Sequence, residues 1–262
     1  MSHVPPDQTW FLDTKLLGRQ TYVFEEIDST NRLGLDLADD LSKHGLIVIA
    51  RHQNAGRGQQ GRHWTAPVGT SILLSGLLFL PLHLRRPVIL TAWATVAVCS
   101  WFHEVFGLAV RIKWPNDILL QERKVCGILI GQRRSGNSEV ATVVGIGLNV
   151  NQTSDYFKEA GLLNATSLAV VTGQSWDIDE LTRQFIHHLD GQYSRLLEND
   201  LQDLETRWRN YIGLIGQEVV AETTTGLVHG CLRRVSFASV EIEGKFLPEN
   251  IRHLSKRMKD EG

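Results

Sequence analysis

Apolar residues follow two rhythms along this chain, short runs of strand length and longer stretches at helical spacing. Runs at 22–26, 46–50, 71–79, 110–113, 118–120, 125–131 and 140–145 read as strands, several joined by links short enough for hairpins. Leu33, Leu37 and Leu41 recur four apart behind a polar cap at 28–30 and predict a helix with one apolar face. The stretch 88–106 is apolar nearly throughout, but Thr91, Thr95, Ser100, His103 and Glu104 interrupt it, so it predicts a buried helix rather than a membrane span. Leu181, Phe185, Leu189, Tyr193 and Leu197 predict an amphipathic helix over 179–197, with another at about 201–211.

Beyond Gly213 and Gly216 the strand-length rhythm returns, at 218–222, 226–235 and 239–242. The change places a boundary near 213. The chain then divides into an arm over 1–20 containing Pro5 and Pro6, a large domain over 21–212, and a small β-domain over 213–262. The large domain is of the α/β (α+β) class, a mixed and largely antiparallel sheet with helices packed on it.

Candidate chemistry concentrates in two segments. The first runs Gln53-Asn54-Ala55-Gly56-Arg57-Gly58-Gln59-Gln60-Gly61-Arg62-His63-Trp64. Three glycines in six residues free the backbone, so their N–H groups can converge on an anion beside two guanidiniums. Gly56, Gly58 and Gly61 spell a dinucleotide-binding fingerprint, but no helix starts after Gly61, and no acidic residue stands about twenty positions further on. A P-loop is excluded as well, because Arg62-His63 stand where it needs lysine and a hydroxyl. A plain glycine-rich surface hairpin remains the rival reading.

The second segment runs from Val110 through Lys113-Trp114-Pro115-Asn116-Asp117 to Lys124-Val125-Cys126-Gly127-Ile128. Pro115 breaks the strand and a polar turn at 121–123 closes a hairpin. A lysine, an amide and a carboxylate thus gather at one strand end, with a second lysine past the turn. Lysines suit a reaction that builds negative charge on phosphate, and aspartate suits magnesium. An ordinary solvated turn is the competing reading.

With Ile27-Asp28-Ser29-Thr30-Asn31 and Gly145-Ile146-Gly147-Leu148-Asn149, these blocks resemble the biotin protein ligase family: D-S-T-N, Q-x-x-G-R-G-x-x-G-R-x-W, K-W-P-N-D, R-K-x-x-G-I-L and G-I-G-L-N, in order. The resemblance runs from about Tyr22 to the C-terminus. It implies a core similar to class II aminoacyl-tRNA synthetases and a C-terminal SH3-like barrel. It also implies a two-step reaction, in which biotin and MgATP give biotinyl-5′-adenylate and a lysine of a carrier protein then takes the biotinyl group.

Carried over residue by residue, the resemblance puts Ser29, Thr30, Asn31, Gln53, Gly56, Arg57, Gly58, Gln59, Lys124 and Gly127 at biotin. It puts Arg62, Trp64, Lys113, Asn116 and Asn149 at ATP, Asp117 at magnesium, and Lys124 with Arg57 in the catalytic role. One position departs from the pattern. Where the family usually has a third arginine after G-R-G, this chain has Gln59, which lacks a guanidinium's charge and bidentate grip.

The partner implied is the biotin carboxyl carrier protein domain of a carboxylase. Twenty residues before the core are too few for a winged-helix domain, so no DNA partner is expected. A net charge of −2 agrees, and 42% hydrophobic with 21% charged residues describes an ordinary globular chain. Three scattered cysteines suggest neither a disulfide framework nor zinc, and no basic-then-apolar leader is visible, so a cytoplasmic location is expected and no membrane contact. The oligomeric state is left open, a homodimer included. A lipoate- or octanoate-type ligase and a non-catalytic adenylate-binding module remain the alternatives.

Overall fold

A computed structural model describes residues 5–134 and 140–257. Eight strands form one sheet in the order β1-β2-β3-β4-β8-β7-β6-β5. They are β1 (Gln8–Phe11), β2 (Gln20–Ile27), β3 (Ile47–Gln53), β4 (Ser71–Phe79), β5 (Val110–Lys113), β6 (Asp117–Leu120), β7 (Arg123–Arg134) and β8 (Val140–Asn149). Only β2 and β3 pair in parallel; every other pair is antiparallel. The mixed sheet expected from the strand pattern is therefore present.

Parallel strands need a crossover, and α1 (Thr30–Asp36) provides it. Helix α1 lies close to the sheet because Gly34 has no Cβ; one built there would stand 3.0 Å from a methyl of Val143. The other face of the sheet carries α2 (Pro87–Phe106), α5 (Ile178–Leu197) and α6 (Leu201–Ile212). The short helices α3 (Ser154–Glu159) and α4 (Leu168–Thr172) sit in the link between β8 and α5. Helix α2 is long and apolar enough to cross a membrane, yet most of it is buried among its neighbours. Trp101, Phe102 and Phe185 pack there edge-on and tilted, and each buried side chain of that size contributes roughly 1.5–3 kcal/mol.

After α6 the chain forms two small antiparallel sheets, in the orders β10-β9-β14 and β11-β12-β13. The strands are β9 (Glu218–Thr223), β10 (Gly226–Cys231), β11 (Arg234–Val235), β12 (Val240–Glu241), β13 (Lys245–Phe246) and β14 (Ile251–Lys256). Trp208 of α6 lies between Trp114 and Phe237, at centroid distances of 5.3 and 5.6 Å, and Trp114 Nε1 donates to the Ile251 carbonyl at 2.8 Å. These contacts bring β14 beside the K-W-P-N-D segment.

Two expectations need correction. Residues 8–11, read as part of an arm, are the edge strand β1 with Trp10 buried. The turn that follows is held by Asp190 of α5, which accepts the N–H groups of Lys15, Leu16 and Leu17 at 2.7–2.9 Å. Leu41 does not continue the face of α1. The helix stops at its cap Leu37, and Asp40 accepts from the Ser42 amide to start a separate 3-10 turn, leaving Leu41 exposed.

Candidate active site

The alternation of β8 explains its G-I-G-L-N block. Ile146 and Leu148 point into the α2 side, so Gly145 and Gly147 fall on the α1 side. Register continues the row sideways: Lys113 faces Asp117, Asp117 faces Gly127, Gly127 faces Gly147, and Gly147 faces Leu73. The two glycines leave a trough across the middle of the sheet. Trp64 fills it, since a Cβ on Gly147 would come within 2.8–3.1 Å of the indole and one on Gly127 within 3.2 Å.

A narrow cavity of about 60 Å³ opens beneath this indole, lined by Ser29, Thr30, Asn31, Gln53, Arg57 and Lys124 among others. Ser29 caps α1, and Gln53 ends β3. Because β2 and β3 are parallel, both strands deliver their ends to the same edge. Gln53 Oε1 accepts from the amide and hydroxyl of Thr30 at 2.8 and 3.1 Å, while Ser75 donates to that hydroxyl at 2.8 Å. Asn31 donates to the Leu129 carbonyl at 3.2 Å, leaving its buried Oδ1 without a partner; Trp64 Nε1 is likewise buried and unpartnered. Both residues line the cavity, so a buried unsatisfied acceptor and a buried unsatisfied donor lie beside it.

Lys124 closes the other end. Its Nζ lies 2.6 Å from Asp117 Oδ1 and 5.6 Å from the centre of the Trp64 ring. Pairing of β6 with β7 slips by one residue beside Lys124, a bulge that leaves Val125 without an opposite residue. Lys124 also lines a second, wider cavity of about 1000 Å³ with Lys113, Asp117 and Asn164. It stands on the boundary between the two.

The glycine-rich loop is a tight hairpin rather than an open nest. Trp64 N–H donates to Gly56 O, Gly58 N–H to Arg62 O at 2.7 Å, and Arg57 faces His63. At least the Gly58 amide, expected to meet an anion, is spent inside the loop. Arg57 and Arg62 line a groove of about 760 Å³ that also takes in Asn31, and Arg57 lines the narrow cavity as well. Gln59 lines the narrow cavity at the loop tip.

Of the nucleotide candidates, Trp64 and Asn116 line the narrow cavity, Lys113 the wide one and Arg62 the groove. Asn116 already donates to the Ile128 carbonyl at 2.6 Å. The amide of Asn149, expected to face the nucleotide, is committed elsewhere: it donates to Thr166 O at 3.0 Å and accepts from Gln152 at 2.9 Å. Among the described residues no group of three or more histidine, cysteine or acidic side chains is placed to hold a metal. Asp117 is one carboxylate in an ion pair, so the donor set fits a magnesium ion that arrives on the phosphates of its nucleotide, not a resident metal. Gly145, Gly147 and Ser75 were not among the expected contacts, although the strand alternation around Ile146 would have placed both glycines.

The mixed sheet thus carries a polar cavity that runs beneath Trp64 and takes in Lys124, beside the glycine-rich loop. Residues 23–151 match the biotin/lipoate A/B protein ligase family, and the chain belongs to that family. A biotin–[acetyl-CoA-carboxylase] ligase of Paracoccus denitrificans is 32% identical over 213 residues, covering 78% of this chain and 85% of that one. The bifunctional ligase/repressor BirA of Bacillus spizizenii is 31% identical over 219 residues, covering 84% and 67%. The biotin protein ligase of Aquifex aeolicus, solved with biotin and ATP, superposes with a TM-score of 0.71 at 25% identity, covering 90% of this chain and 99% of the other.

Proposed function

We propose that this chain is an ATP-dependent ligase that activates biotin as biotinyl-5′-AMP and transfers the biotinyl group to a lysine of a biotin carboxyl carrier domain. The observation that carries the reading is the polarity of the narrow cavity. An unpartnered Asn31 Oδ1 with Ser29, Thr30 and Gln53 suits the N–H and C=O groups of a ureido ring, and Lys124 at the far end suits a carboxylate. A dithiolane has no N–H to offer Asn31, which favours biotin over lipoate. The related ligases from Paracoccus and Aquifex support the same choice.

In the first step a biotin carboxylate oxygen attacks the α-phosphorus of MgATP, and the bond to the β-phosphate breaks to release pyrophosphate. Lys124 faces both cavities, so its ammonium offsets charge on the carboxylate and the α-phosphate as they meet. Arg57 and Arg62 supply guanidiniums at the groove. Lys113 and Asn116 line the nucleotide's approach, and Asp117 would hold the magnesium that the nucleotide brings, which would offset phosphate charge. Trp64 covers the reacting centre, and Gly56, Gly58 and Gly127 allow the close approach of loop and strand. In the second step a carrier lysine attacks the acyl carbon, the new amide forms, AMP leaves and the amine's proton passes to solvent. We place this activity in the cytoplasm, with a carboxylase carrier as acceptor.

ATP–pyrophosphate exchange with biotin, with lipoate or with neither tests the reading. Biotin alone should drive exchange; exchange with lipoate instead would assign the lipoate branch, and exchange with neither would leave a binding module.

A further inference from the structure

We infer that a further cavity, between the tip of the glycine-rich loop and the start of β14, is a binding site for a small apolar monocarboxylate. Its volume is about 350 Å³, within the usual range for small-molecule sites. Pro87 and Val88 of α2, Trp114 and Pro115, and Pro248 and Ile251 give it apolar walls. It shares only Gln59 with the narrow cavity, and no residue with the wide one or the groove. The site therefore stands apart from both proposed substrate cavities.

The unspent polar groups on these walls are mainly donors. Trp208 is 1% exposed, and its Nε1 is buried without a partner. Thr91 is 9% exposed, and its hydroxyl has no hydrogen-bond partner among the described residues. Helix α2, 20 residues long, starts at this wall; its cap Arg86 makes no side-chain cap bond, and no acidic residue stands in its first turn. The positive end of the helix is therefore left uncompensated. Arg252 adds a guanidinium with no ion-pair partner among the described residues. The carboxylate on the same walls, Glu249, is already held by Arg86 at 2.9 Å. Gln59 and Gln60 can donate or accept. Free donors and a free cation call for a group that only accepts and carries negative charge, which a carboxylate does. The indole and proline walls call for an apolar body behind it, and a flat ring suits them best.

The test is calorimetry on the full chain in saturating biotin, so that the narrow cavity is filled and the shared Gln59 is not mistaken for it. 2-Naphthoate should bind with a Kd on the order of 1 mM or tighter. 2-Naphthylmethanol, which has the shape without the charge, and acetate, which has the charge without the ring, should each bind at least about tenfold more weakly. Arg252→Gln, at an exposed position, should weaken naphthoate about 10- to 100-fold, and the near-isosteric Thr91→Val about 2- to 10-fold. No saturable binding up to about 10 mM naphthoate, equal binding of the alcohol, or an unchanged Kd in Arg252→Gln would overturn the inference. So would naphthoate that binds only when biotin is absent, since it then occupies the narrow cavity. None of these results touches the ligase reading, which pyrophosphate exchange decides. Should biotin itself fail to bind, that reading falls, and the two variants still decide this site.

Discussion

The ammonium of Lys124 and the carboxylate of Asp117 stand 2.6 Å apart, on neighbouring strands and partly shielded from water. Before substrates arrive the lysine is therefore already neutralised by a partner from the same sheet. On the proposed function a carboxylate and a phosphate would flank this pair, and one cation would then serve several anions.

Lys124→Ala should lower biotin-dependent pyrophosphate exchange by about 100- to 1000-fold, the usual cost of removing one donor aimed at developing charge. Asp117→Asn should cost less and shift the magnesium dependence to higher concentration. Exchange rates over a magnesium titration check both. Near-normal exchange in Lys124→Ala would remove the lysine from the reaction centre.

Gly147→Ala tests the trough. The new methyl would meet the Trp64 ring at 2.8–3.1 Å and must displace it, at an overpacking cost of about 1–3 kcal/mol. Biotin affinity by calorimetry should fall about tenfold or more, and the tryptophan emission should shift. Unchanged affinity would mean that Trp64 does not cover the ligand.

Gln59→Arg restores a charge at the loop tip. A charge-assisted bond to phosphate contributes about 1.5–3 kcal/mol, so biotinyl-adenylate should leave roughly ten times more slowly or slower still. Stopped-flow release, or the quantity of free adenylate after one turnover, measures it. An unaltered release rate would place position 59 away from the phosphate.

Asp190→Ala strands three backbone N–H groups at Lys15, Leu16 and Leu17. At about 1–3 kcal/mol for each orphaned donor, thermal unfolding should drop by roughly 10 °C. Asp190→Asn, which keeps an acceptor, should lose less. A shift of only a degree or two would show that the turn is held by apolar packing alone.

Stability should also decline in mild acid. Burial lowers the pKa of His188, opposed by Glu104 and the Ala97 carbonyl. The unfolded chain then takes up the proton more readily than the folded one. The contribution is complete above the unfolded value near 6.5 and is lost as pH falls through it towards the depressed folded value. His188→Gln should flatten the melting temperature between pH 7.5 and about pH 5. An identical slope in the variant would assign the effect to other groups, His44 first, since burial lowers its pKa too.

Much of the sheet was legible from the chain because its strands alternate or run apolar over four or more residues, and because turns at Pro115 and 121–123 punctuate them. Strand β1 was hidden by its length: four residues with only Trp10 buried look like tail. The early end of α1 was hidden because an i, i+4 leucine pattern carries no information about Asp40 competing for the next turn. At the site, the blocks around Asn31, Gln53, Lys124 and Gly147 converge, which spacing alone does not reveal. Gln152 and Thr166 could not be read at all; an isolated buried amide has no periodicity, and its partners lie elsewhere in the chain.

The pairing of β4 with β8 has a consequence for how the molecule comes into being. Residues from 29 to 147 wall the narrow cavity, and β4, from the middle of that span, pairs with its last strand, β8. Contacts of such long sequence separation form late, after most of the chain's freedom has been surrendered. During synthesis, a ribosome-bound fragment ending before β8 has the glycine loop and the helix cap but no floor to set them on. Such a fragment also lacks Gly145, Ile146 and Gly147, so the narrow cavity cannot close until β8 is made.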